Sequence, residues 1–440
     1  TDYNLCGTTD GRIVRLNTDG TTTNLVTGLT SGATIRWFFD QFNDLATICN
    51  RTDAPRSYDG TTLETLGGTP PTTGGPVAVH SNREFLLDAT NRRRVSWSTL
   101  NSSEDWTTAG NAGSMTVTGR QSSPLVFLLA LTSELLLGHR DFVTRLQGTS
   151  PSTYALTNAV PAAVSRGGIS SQGAAFGAND GWWISQRGIL NLRTTQQFGD
   201  VKEGFPSEPI DPYFTPNTDF TVSLNQLTNA VACYDPQHNR LYFGVDSNAD
   251  GNNDLLLVLD VFLYLKMQGK GGWSVWPSVS CASLWTAYTG TNGVEVFMGG
   301  YDGFVRRLNV VASTNAIDAA FAHISDLGAP GWAKQPRHLY AYASEEGNFN
   351  VTVTLNFDFG ATGGQTYTFS LLGATDVLGS SFTLGTSLLG TRSQIVKRLN
   401  VFGVGEYVET SFSNAQAGQP FTIFGYDYRF RRVRTIARAS

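Results

Sequence analysis

The chain has 440 residues, of which 40% are hydrophobic and only 15% are charged, and its formal net charge is −5 at pH 7. This length predicts two domains or one large domain built from repeats, because a single ordinary core does not extend over so many residues. The slight negative charge argues against a protein that grips nucleic acid, which usually needs a basic face, although a wall that does not bind still lets a nucleic acid slide past.

Short β-type runs separated by Gly, Asn, Asp and Pro dominate the first 310 residues, and helical periodicity is almost absent. Many short strands joined by tight turns are typical of sandwiches, barrels and propellers. The predicted strands of this part are Thr23–Val26, Ile35–Phe39, Leu45–Cys49, Glu84–Leu87, Arg94–Ser98, Leu125–Leu129, Leu135–Leu137, Gly181–Ser185, Arg240–Val245 and Leu255–Leu259.

Four segments repeat one pattern, a turn followed by an alternating strand: Asp10–Asn17, Arg140–Gln147, Gln186–Arg193 and Asp302–Asn309. The last three follow another strand, so the repeat is a hairpin, as in the last two strands of a propeller blade. A four-stranded blade takes roughly 40 to 50 residues, which is the spacing from Leu146 to Leu192. The pattern predicts an all-β chain with a β-propeller of six or seven blades over residues 1–311, and a generic β-sandwich is the alternative.

The resemblance between the first repeat and the last has two interpretations. A terminal strand could complete the last blade and close the ring, or the two segments could occupy equivalent positions in two separate blades.

Residues 312–440 predict a second domain, a C-terminal antiparallel β-sandwich, because the sequence changes character after Asn309. An Ala-rich stretch over 310–333 leads into this domain. Its predicted strands are Phe349–Phe357, Thr366–Leu371, Ile395–Val401, Val408–Phe412 and Thr422–Phe430, and the stretches 359–365 and 373–390 are predicted hairpin connections.

One loop carries a calcium-like pattern of oxygen ligands. Asp246, Asn248, Asp250 and Asp254 stand at positions 1, 3, 5 and 9, with Gly251 at position 6. Position 12 is Leu257 rather than Glu, which excludes an EF-hand but leaves a shorter calcium loop open, with a structural ion. The alternative is a solvated hairpin loop made of turn-forming residues.

Catalytic patterns are weak throughout the chain. The five histidines share no metal-like spacing, and the four cysteines stand far apart with no paired spacing. The adjacent carboxylates Glu104–Asp105 and Glu345–Glu346 would point to opposite faces of a strand, so we interpret them as loop charges rather than a glycosidase pair. The tryptophans Trp97, Trp106, Trp182, Trp183, Trp273 and Trp276 could form a sugar-stacking platform, but packing inside and between blades is favoured. We therefore expect no enzyme.

Two arginine clusters are candidate subunit interfaces: Arg92, Arg93 and Arg94 before a strand, and Arg429, Arg431, Arg432 and Arg434 near the end of the chain. Contact with a neighbouring subunit is favoured over contact with nucleic acid because the chain is net negative. A solvated terminus is the alternative for the second cluster.

The longest apolar stretch, Leu255–Leu265, is interrupted by Asp260 and is too short to cross a bilayer, so we expect no membrane anchoring.

Four groups of motifs are distinctive: Trp37–Asp44 with Cys49–Asn50 and Pro55–Gly60; Arg94–Ser98 with Glu104–Trp106; Asn179–Ser185 with Gly188–Ile189; and Leu257–Asp260 with Gly272–Trp276. Together with the closing segment Phe421–Tyr426, they resemble the β-propeller proteins in the tails of short-tailed bacteriophages, which are called nozzle, hub or tail tubular proteins. The resemblance extends over nearly the whole chain, although each motif is short and mainly structural.

The resemblance implies a structural virion protein without catalytic residues or a cofactor, assembled in the host cytoplasm as a homo-oligomeric ring, commonly of six subunits. Such a ring would contact other tail and portal-adaptor proteins and surround the channel through which DNA leaves, without sequence recognition. The alternative from another class is a carbohydrate-binding or glycoside-cleaving β-propeller. A third possibility is an adhesin-like protein with bound calcium.

Overall fold

The computed structural model describes residues 4–17, 19–117, 123–158, 167–193, 205–214, 226–289, 293–308, 319–327, 331–346, 349–360, 362–372, 394–416, 419 and 421–435. The chain divides into two compact units, Thr1–Leu308 and Asn309–Ser440. The sequence-based boundary lies after residue 311. Strands joined by turns make up most of the described residues, so the all-β prediction is confirmed.

The described residues of the first unit form seven antiparallel sheets, and each sheet is built from strands that are consecutive in the chain. The first four sheets have these strands: sheet 1, β1 (Asn4–Gly7), β2 (Ile13–Leu16) and β3 (Thr22–Val26); sheet 2, β4 (Phe38–Phe42), β5 (Leu45–Cys49), β6 (Arg56–Tyr58) and β7 (Leu63–Thr65); sheet 3, β8 (Gly74–His80), β9 (Arg83–Asp88), β10 (Arg94–Trp97) and β11 (Gly113–Thr116); sheet 4, β12 (Leu125–Ala130), β13 (Glu134–His139), β14 (Val143–Gln147) and β15 (Ala155–Asn158).

The remaining three sheets continue the same order. They are sheet 5, β16 (Ala174–Gly177), β17 (Asp180–Ser185) and β18 (Gly188–Asn191); sheet 6, β19 (Val231–Asp235), β20 (Arg240–Val245), β21 (Leu255–Asp260) and β22 (Trp273–Pro277); and sheet 7, β23 (Ser283–Tyr288), β24 (Val294–Gly299) and β25 (Val305–Arg307).

Apolar side chains fill the space between each sheet and the next one from sheet 1 to sheet 7. Cluster members contributed by the two facing sheets include Ile13 and Ile48, Phe38 and Leu86, Phe85 and Leu135, Phe127 and Trp183, Trp182 and Phe243, and Tyr242 and Val296. Burying each such side chain fully contributes about 1.5–3 kcal/mol. The hydrophobic effect therefore holds consecutive sheets face to face.

The middle strands of these sheets have continuously apolar sequences because both of their faces are buried. In β13, Leu135 and Leu137 belong to the cluster shared with sheet 3, whereas Leu136 belongs to the cluster shared with sheet 5. In β21, Leu257 faces sheet 5 and Leu256 faces sheet 7. Because successive side chains point to opposite faces, an uninterrupted apolar run is what a strand needs when both faces of its sheet are buried.

The first strands of successive sheets lie next to one another from β4 to β23. A hydrogen bond also links the last sheet to the first, because Trp285 Nε1 on β23 donates to Asn4 Oδ1 on β1 at 3.3 Å. Contacts of this kind between the two ends of a series of sheets are expected when the sheets surround a common axis.

The first and last repeats lie in different sheets. The strand of the first repeat is β2, which pairs with β1 and β3, and the strand of the last is β25, which pairs with β24. Among the described residues, the similarity between these repeats therefore reflects two separate sheets rather than one sheet shared by both ends.

One predicted strand of the first unit is displaced. The prediction was Ile35–Phe39, but β4 begins at Phe38. The amide of Ile35 donates to the Gly32 carbonyl in a turn, and Trp37 Nε1 donates to the Thr8 carbonyl at 3.1 Å. Ile35 and Trp37 are thus held by these two hydrogen bonds, and strand pairing begins only at Phe38.

Helical segments are short in the described residues. The α-helix α1 (Val261–Lys266) follows β21 directly, and 3-10 turns cover Glu208–Tyr213, Gln226–Asn229 and Asp358–Gly360. Among the described residues, no helix has both the length and the apolar character needed to span a membrane.

The second unit contains two antiparallel sheets. Sheet 8 has the strand order β26 (Ala319–Ser325), β31 (Val408–Asn414), β28 (Asn350–Phe357), β29 (Thr362–Ser370), and sheet 9 has the order β30 (Gln394–Asn400), β27 (Trp332–Ser344), β32 (Ile423–Thr435). Alternate residues of β28 are buried, and Val351, Val353 and Leu355 share one apolar cluster with Leu339 of sheet 9. The two sheets thus share one core.

Two predictions for the second unit need correction. The Ala-rich stretch contains β26, which the sequence did not predict, and the Gly-rich stretch 359–365 is partly strand, because Gln365 pairs with Leu355 and Thr362 pairs with Phe357. The predicted loop 373–390 lies outside the described residues.

Candidate functional site

The predicted calcium loop joins β20 to β21 and is held together by its own amides. The Asp246 side chain is buried, and its carboxylate accepts hydrogen bonds from the backbone amides of Asn248 (3.1 Å), Ala249 (2.8 Å) and Gly251 (2.8 Å). A carboxylate that accepts three amides of the following residues is the arrangement of an Asx turn.

The other predicted ligands serve the same turn. Asp254 accepts from the amide of Ser247 at 2.7 Å and from its hydroxyl at 2.9 Å, and Asp250 accepts from the amide of Asn252 at 2.7 Å. Asn248 Oδ1 accepts from the amide of Asp250 at 3.0 Å. No group of three or more His, Cys, Asp or Glu side chains suited to a metal occurs in the described part of the chain. The hydrogen bonding therefore favours the hairpin loop, and the calcium site stays a prediction.

The adjacent carboxylates flagged in the sequence stabilise local structure. Asp105 accepts from the backbone amides of Thr107 and Thr108, both at 3.1 Å, and Glu346 Oε1 accepts from the Thr422 hydroxyl at 3.0 Å. Hydrogen bonding lowers the pKa of Asp105 well below its usual range. These contacts fit the interpretation of both pairs as loop charges.

Four of the six tryptophans are core residues. Trp97, Trp106, Trp182 and Trp183 are buried, and Trp182 and Trp183 belong to the clusters on opposite faces of sheet 5. Trp273 and Trp276 are half-buried and pack against the clusters on the two faces of sheet 6. Packing between sheets, rather than a sugar platform, accounts for these side chains.

The first arginine cluster lies at the turn between β9 and β10. Arg94 forms an ion pair of 2.7 Å with Asp88, whereas the Arg92 and Arg93 side chains are exposed. The backbone carbonyls of Arg92 and Arg93 accept from the amides of Leu125 and Val117 at 2.7 and 2.8 Å, which fixes the turn. Arg94 is thus committed within the chain, and contact of Arg92 and Arg93 with another subunit stays a prediction.

The second cluster lies on β32, an edge strand of sheet 9. Arg429, Arg431 and Arg432 are exposed, and the side chain of Arg434 lies outside the described part of the chain. The Arg429 guanidinium lies 5.3 Å from the centre of the Tyr340 ring, and that of Arg432 lies 5.8 Å from the Trp332 ring. Such cation–π contacts orient the two cations along one edge of the sheet without burying them.

An open groove of about 530 Å³ lies between β26 and β32, and we name it the edge groove. It is lined by Phe321, His323, Ser325, Leu327, Ile423, Phe424, Gly425, Tyr426, Asp427, Tyr428 and Phe430. His323 Nδ1 lies 2.6 Å from the hydroxyl of Tyr426, and the Tyr428 hydroxyl lies 2.7 Å from that of Thr410. Phe321 and Phe424 remain 51% and 60% exposed, so the groove presents aromatic surface to solvent.

A second apolar surface lies on the first unit. Helix α1 and the residue after it expose Phe262, Leu263, Leu265 and Met267, which we name the apolar knob. Neither surface was recognised from the sequence. In the stretch Leu255–Leu265 the sequence predicts a strand over Leu255–Leu259 but no helix after it, although an Asp inside an apolar run is a recognisable helix N-cap.

A buried carboxyl group lies between sheets 2 and 3. Glu84 on β9 is fully buried, and neither of its carboxylate oxygens has a hydrogen-bond partner. Burial raises the pKa of Glu84 to about 8; the Thr47 hydroxyl on β5 acts against this rise, and the Asp40 carboxylate on β4 adds to it. The nearby Thr47 hydroxyl on β5 is buried and unpartnered as well. This group affects the stability of the sheet interface and has no substrate-accessible surface.

No family model and no curated protein matches the chain. Solved structures that match include the WD40 β-propeller domain of Doa1, at 10% identity over 69% of this chain and 88% of that one with a TM-score of 0.42. YCF48 bound to D1 peptide matches at 11% identity over 70% of this chain and 90% of that one, with a TM-score of 0.38.

The extracellular domain of the hybrid two component system BT4673 from B. thetaiotaomicron matches at 12% identity over 72% of this chain, with a TM-score of 0.37, and the chain spans only 37% of its length. At these identities and scores, the similarities assign neither activity nor partner.

Proposed function

We propose that the chain is a structural component of the tail of a short-tailed bacteriophage, a ring protein of the nozzle or hub type. The ring would form part of the DNA exit channel and connect the portal side to the distal tail. The observation that carries this proposal is the resemblance of the four motif groups and the closing segment to such tail proteins. It is supported by the structural use of those motifs: Trp37, Trp97 and Trp182, one from each of three groups, are buried side chains.

For the fold, we propose that the first unit is a β-propeller with one blade for each of the seven sheets. Three observations support seven blades. The sheets follow the chain order, an apolar cluster fills each of the six interfaces between consecutive sheets, and the Trp285–Asn4 hydrogen bond links the last sheet to the first. For the second unit we propose a β-sandwich, which is supported by the shared core of sheets 8 and 9.

This construction suits a mechanical part. Sheets buried on both faces resist bending, and radial repetition leaves only short exposed edges. The net charge of −5 would keep a polyanion from binding tightly to the ring, so DNA could pass without being held. The exposed arginines of β32 would then contact a neighbouring subunit or another tail protein.

Negative-stain imaging of the purified chain tests this proposal. We expect closed rings of uniform subunit number with a central opening. A monomer that binds glycans on an array would contradict the proposal and favour the carbohydrate-binding propeller.

A further inference from the structure

Arg83, the first residue of β9, is a buried cation bonded only to uncharged groups. It is 3% exposed. Its terminal nitrogens donate to the carbonyls of Ser98 at 2.9 Å and Asn111 at 2.6 Å, and to Asn111 Oδ1 at 2.5 Å. Among the described residues, no carboxylate forms an ion pair with Arg83. Because removing a charge from water is costly, a buried guanidinium of this kind indicates a missing negative charge.

Two carboxyl groups near Arg83 are positioned to serve other contacts. Glu84 is the next residue of β9 and therefore lies on the opposite face, between sheets 2 and 3. Glu134 acts electrostatically on His80, which pairs with Arg83 across the hairpin. However, the Glu134 carboxylate accepts from Arg145 Nε at 2.7 Å and from Gln147 Nε2 at 3.2 Å. Neither group neutralises Arg83.

Three buried donor atoms at this interface have no hydrogen-bond partner. They are Arg83 Nε, Trp97 Nε1 and the Tyr154 hydroxyl, and we name them the donor cluster. Trp97 is 6% exposed, and Tyr154 is half-buried although its hydroxyl is covered. Buried polar groups are normally hydrogen-bonded, so three unpartnered donors in one region point to a ligand that accepts.

The three residues lie at the same end of the interface between sheets 3 and 4. Arg83 shares a face of β9 with Phe85, and Phe85 pairs with Trp97 of β10. The Trp97 and Tyr154 rings meet edge to face, with centroids 5.2 Å apart. Asn111 binds the guanidinium, and two residues later the absent Cβ of Gly113 would lie 3.5 Å from Trp97 Nε1.

The chemistry of the donor cluster selects an anion rather than a cation. Arg83 Nε and Trp97 Nε1 can donate hydrogen bonds but cannot accept them. Burial raises the pKa of Tyr154 and the Arg83 charge opposes that rise, so the hydroxyl keeps its proton near pH 7 and can donate as well. A negatively charged acceptor satisfies these donors and supplies the charge that Arg83 lacks.

We propose that the donor cluster binds a small monovalent anion, chloride or a halide of similar size, between sheets 3 and 4. A single guanidinium matches one negative charge, whereas a buried phosphate or sulfate would leave negative charge uncompensated. Since the cluster takes donors from both sheets, the bound anion holds them together and stabilises the first unit. This site lies within one chain and does not depend on ring assembly.

Thermal unfolding in sodium chloride and in sodium gluconate of equal ionic strength tests the site. Chloride binds the folded state, so it should raise the melting temperature of the wild type by at least about 2 °C over gluconate. Trp97→Phe and Tyr154→Phe each remove one donor and keep an aromatic ring. Both variants should lose at least about half of this chloride effect, because each deletes one of three hydrogen bonds to the anion.

Trp106→Phe is the matched control. Trp106 is also buried, but its Nε1 already donates to the Ser103 carbonyl at 2.8 Å. The substitution should lower the melting temperature in both salts and keep the full difference between chloride and gluconate.

Crystals of the wild type grown in sodium bromide locate the ion directly. We expect an anomalous peak within hydrogen-bond distance of Arg83 Nε and Trp97 Nε1. A water molecule there without anomalous signal would overturn the inference. Equal wild-type melting temperatures in chloride and gluconate, or a full chloride effect in both Trp97→Phe and Tyr154→Phe, would overturn it as well.

Discussion

Glu84 places an ionisable side chain in the buried interface between two sheets. It lies between sheets 2 and 3 with Asp40 and Thr47 nearby, and its carboxyl group is buried without a hydrogen-bond partner. Since a buried charge without a partner is costly, the protonated form is favoured in the folded protein.

This arrangement predicts a loss of stability with rising pH. The pKa of Glu84 rises from 4.5 to about 8 on folding, so the folded state binds more protons than the unfolded state between these values. The free energy of unfolding should therefore fall between about pH 4.5 and pH 8, by roughly 5 kcal/mol from this group, and level off above pH 8. Urea denaturation across this range measures the slope.

Glu84→Gln is the variant that isolates the effect. The neutral amide has nearly the same shape and does not ionise, so the variant should lose most of the decline and exceed the wild type in stability near pH 8. Glu64→Gln, which removes an exposed carboxylate from β7, should keep the wild-type slope. Equal slopes in wild type and Glu84→Gln would show that Glu84 does not carry a proton at neutral pH.

Single residues were the hardest feature to predict from the sequence. The four ligand-like oxygens of the 246–254 loop were correctly located in a hairpin connection, but whether they bind an ion or backbone amides depends on three-dimensional geometry. The burial of Glu84 could not be foreseen either. It depends on which neighbouring sheet covers β9, and alternation within one strand carries no information about that sheet.

Most strands were predicted correctly because their sequences have a clear local pattern. Leu45–Cys49 and Arg240–Val245 match β5 and β20, because apolar β-rich runs bounded by turn residues can satisfy their backbone only in a sheet. Errors arose where tertiary hydrogen bonds overrode the pattern, as at Trp37, or where a strand has no buried face, as in β26. An exposed strand has no hydrophobic alternation for sequence reasoning to detect.

The hydrogen bonds within the 246–254 loop should contribute to the stability of the protein. Asp246→Ala removes the acceptor of three backbone amides, one of them on Gly251, and should lower the melting temperature by several degrees, equally with calcium and with EDTA. Asp250→Asn, at an exposed position, should have little effect.

Calcium titration distinguishes the two interpretations of the loop. The turn interpretation predicts that added calcium leaves the wild-type melting temperature unchanged. A rise of several degrees with calcium, lost in Asp250→Asn, would instead establish the predicted ion site.

At the scale of the whole molecule, the sequence predicted an all-β chain but left the number of blades open between six and seven. The seven described sheets differ in strand number, and the intervals between repeats differ too, so counting repeats alone could not decide. The sequence also did not reveal the apolar knob and the edge groove, because the exposure of a side chain depends on which neighbouring elements cover it.

The proposed ring also predicts the number of subunits in the assembled protein. A closed ring has a fixed number of subunits, so assembly into the proposed ring should give one dominant species rather than a broad series. The resemblance to tail proteins makes six the expected number.

Native mass spectrometry of the full chain is the most direct test of the proposed ring. The account predicts a single assembly of about six times the 47.6 kDa chain mass, stable on dilution. A monomer at every concentration, or an open-ended series of oligomers, would contradict it.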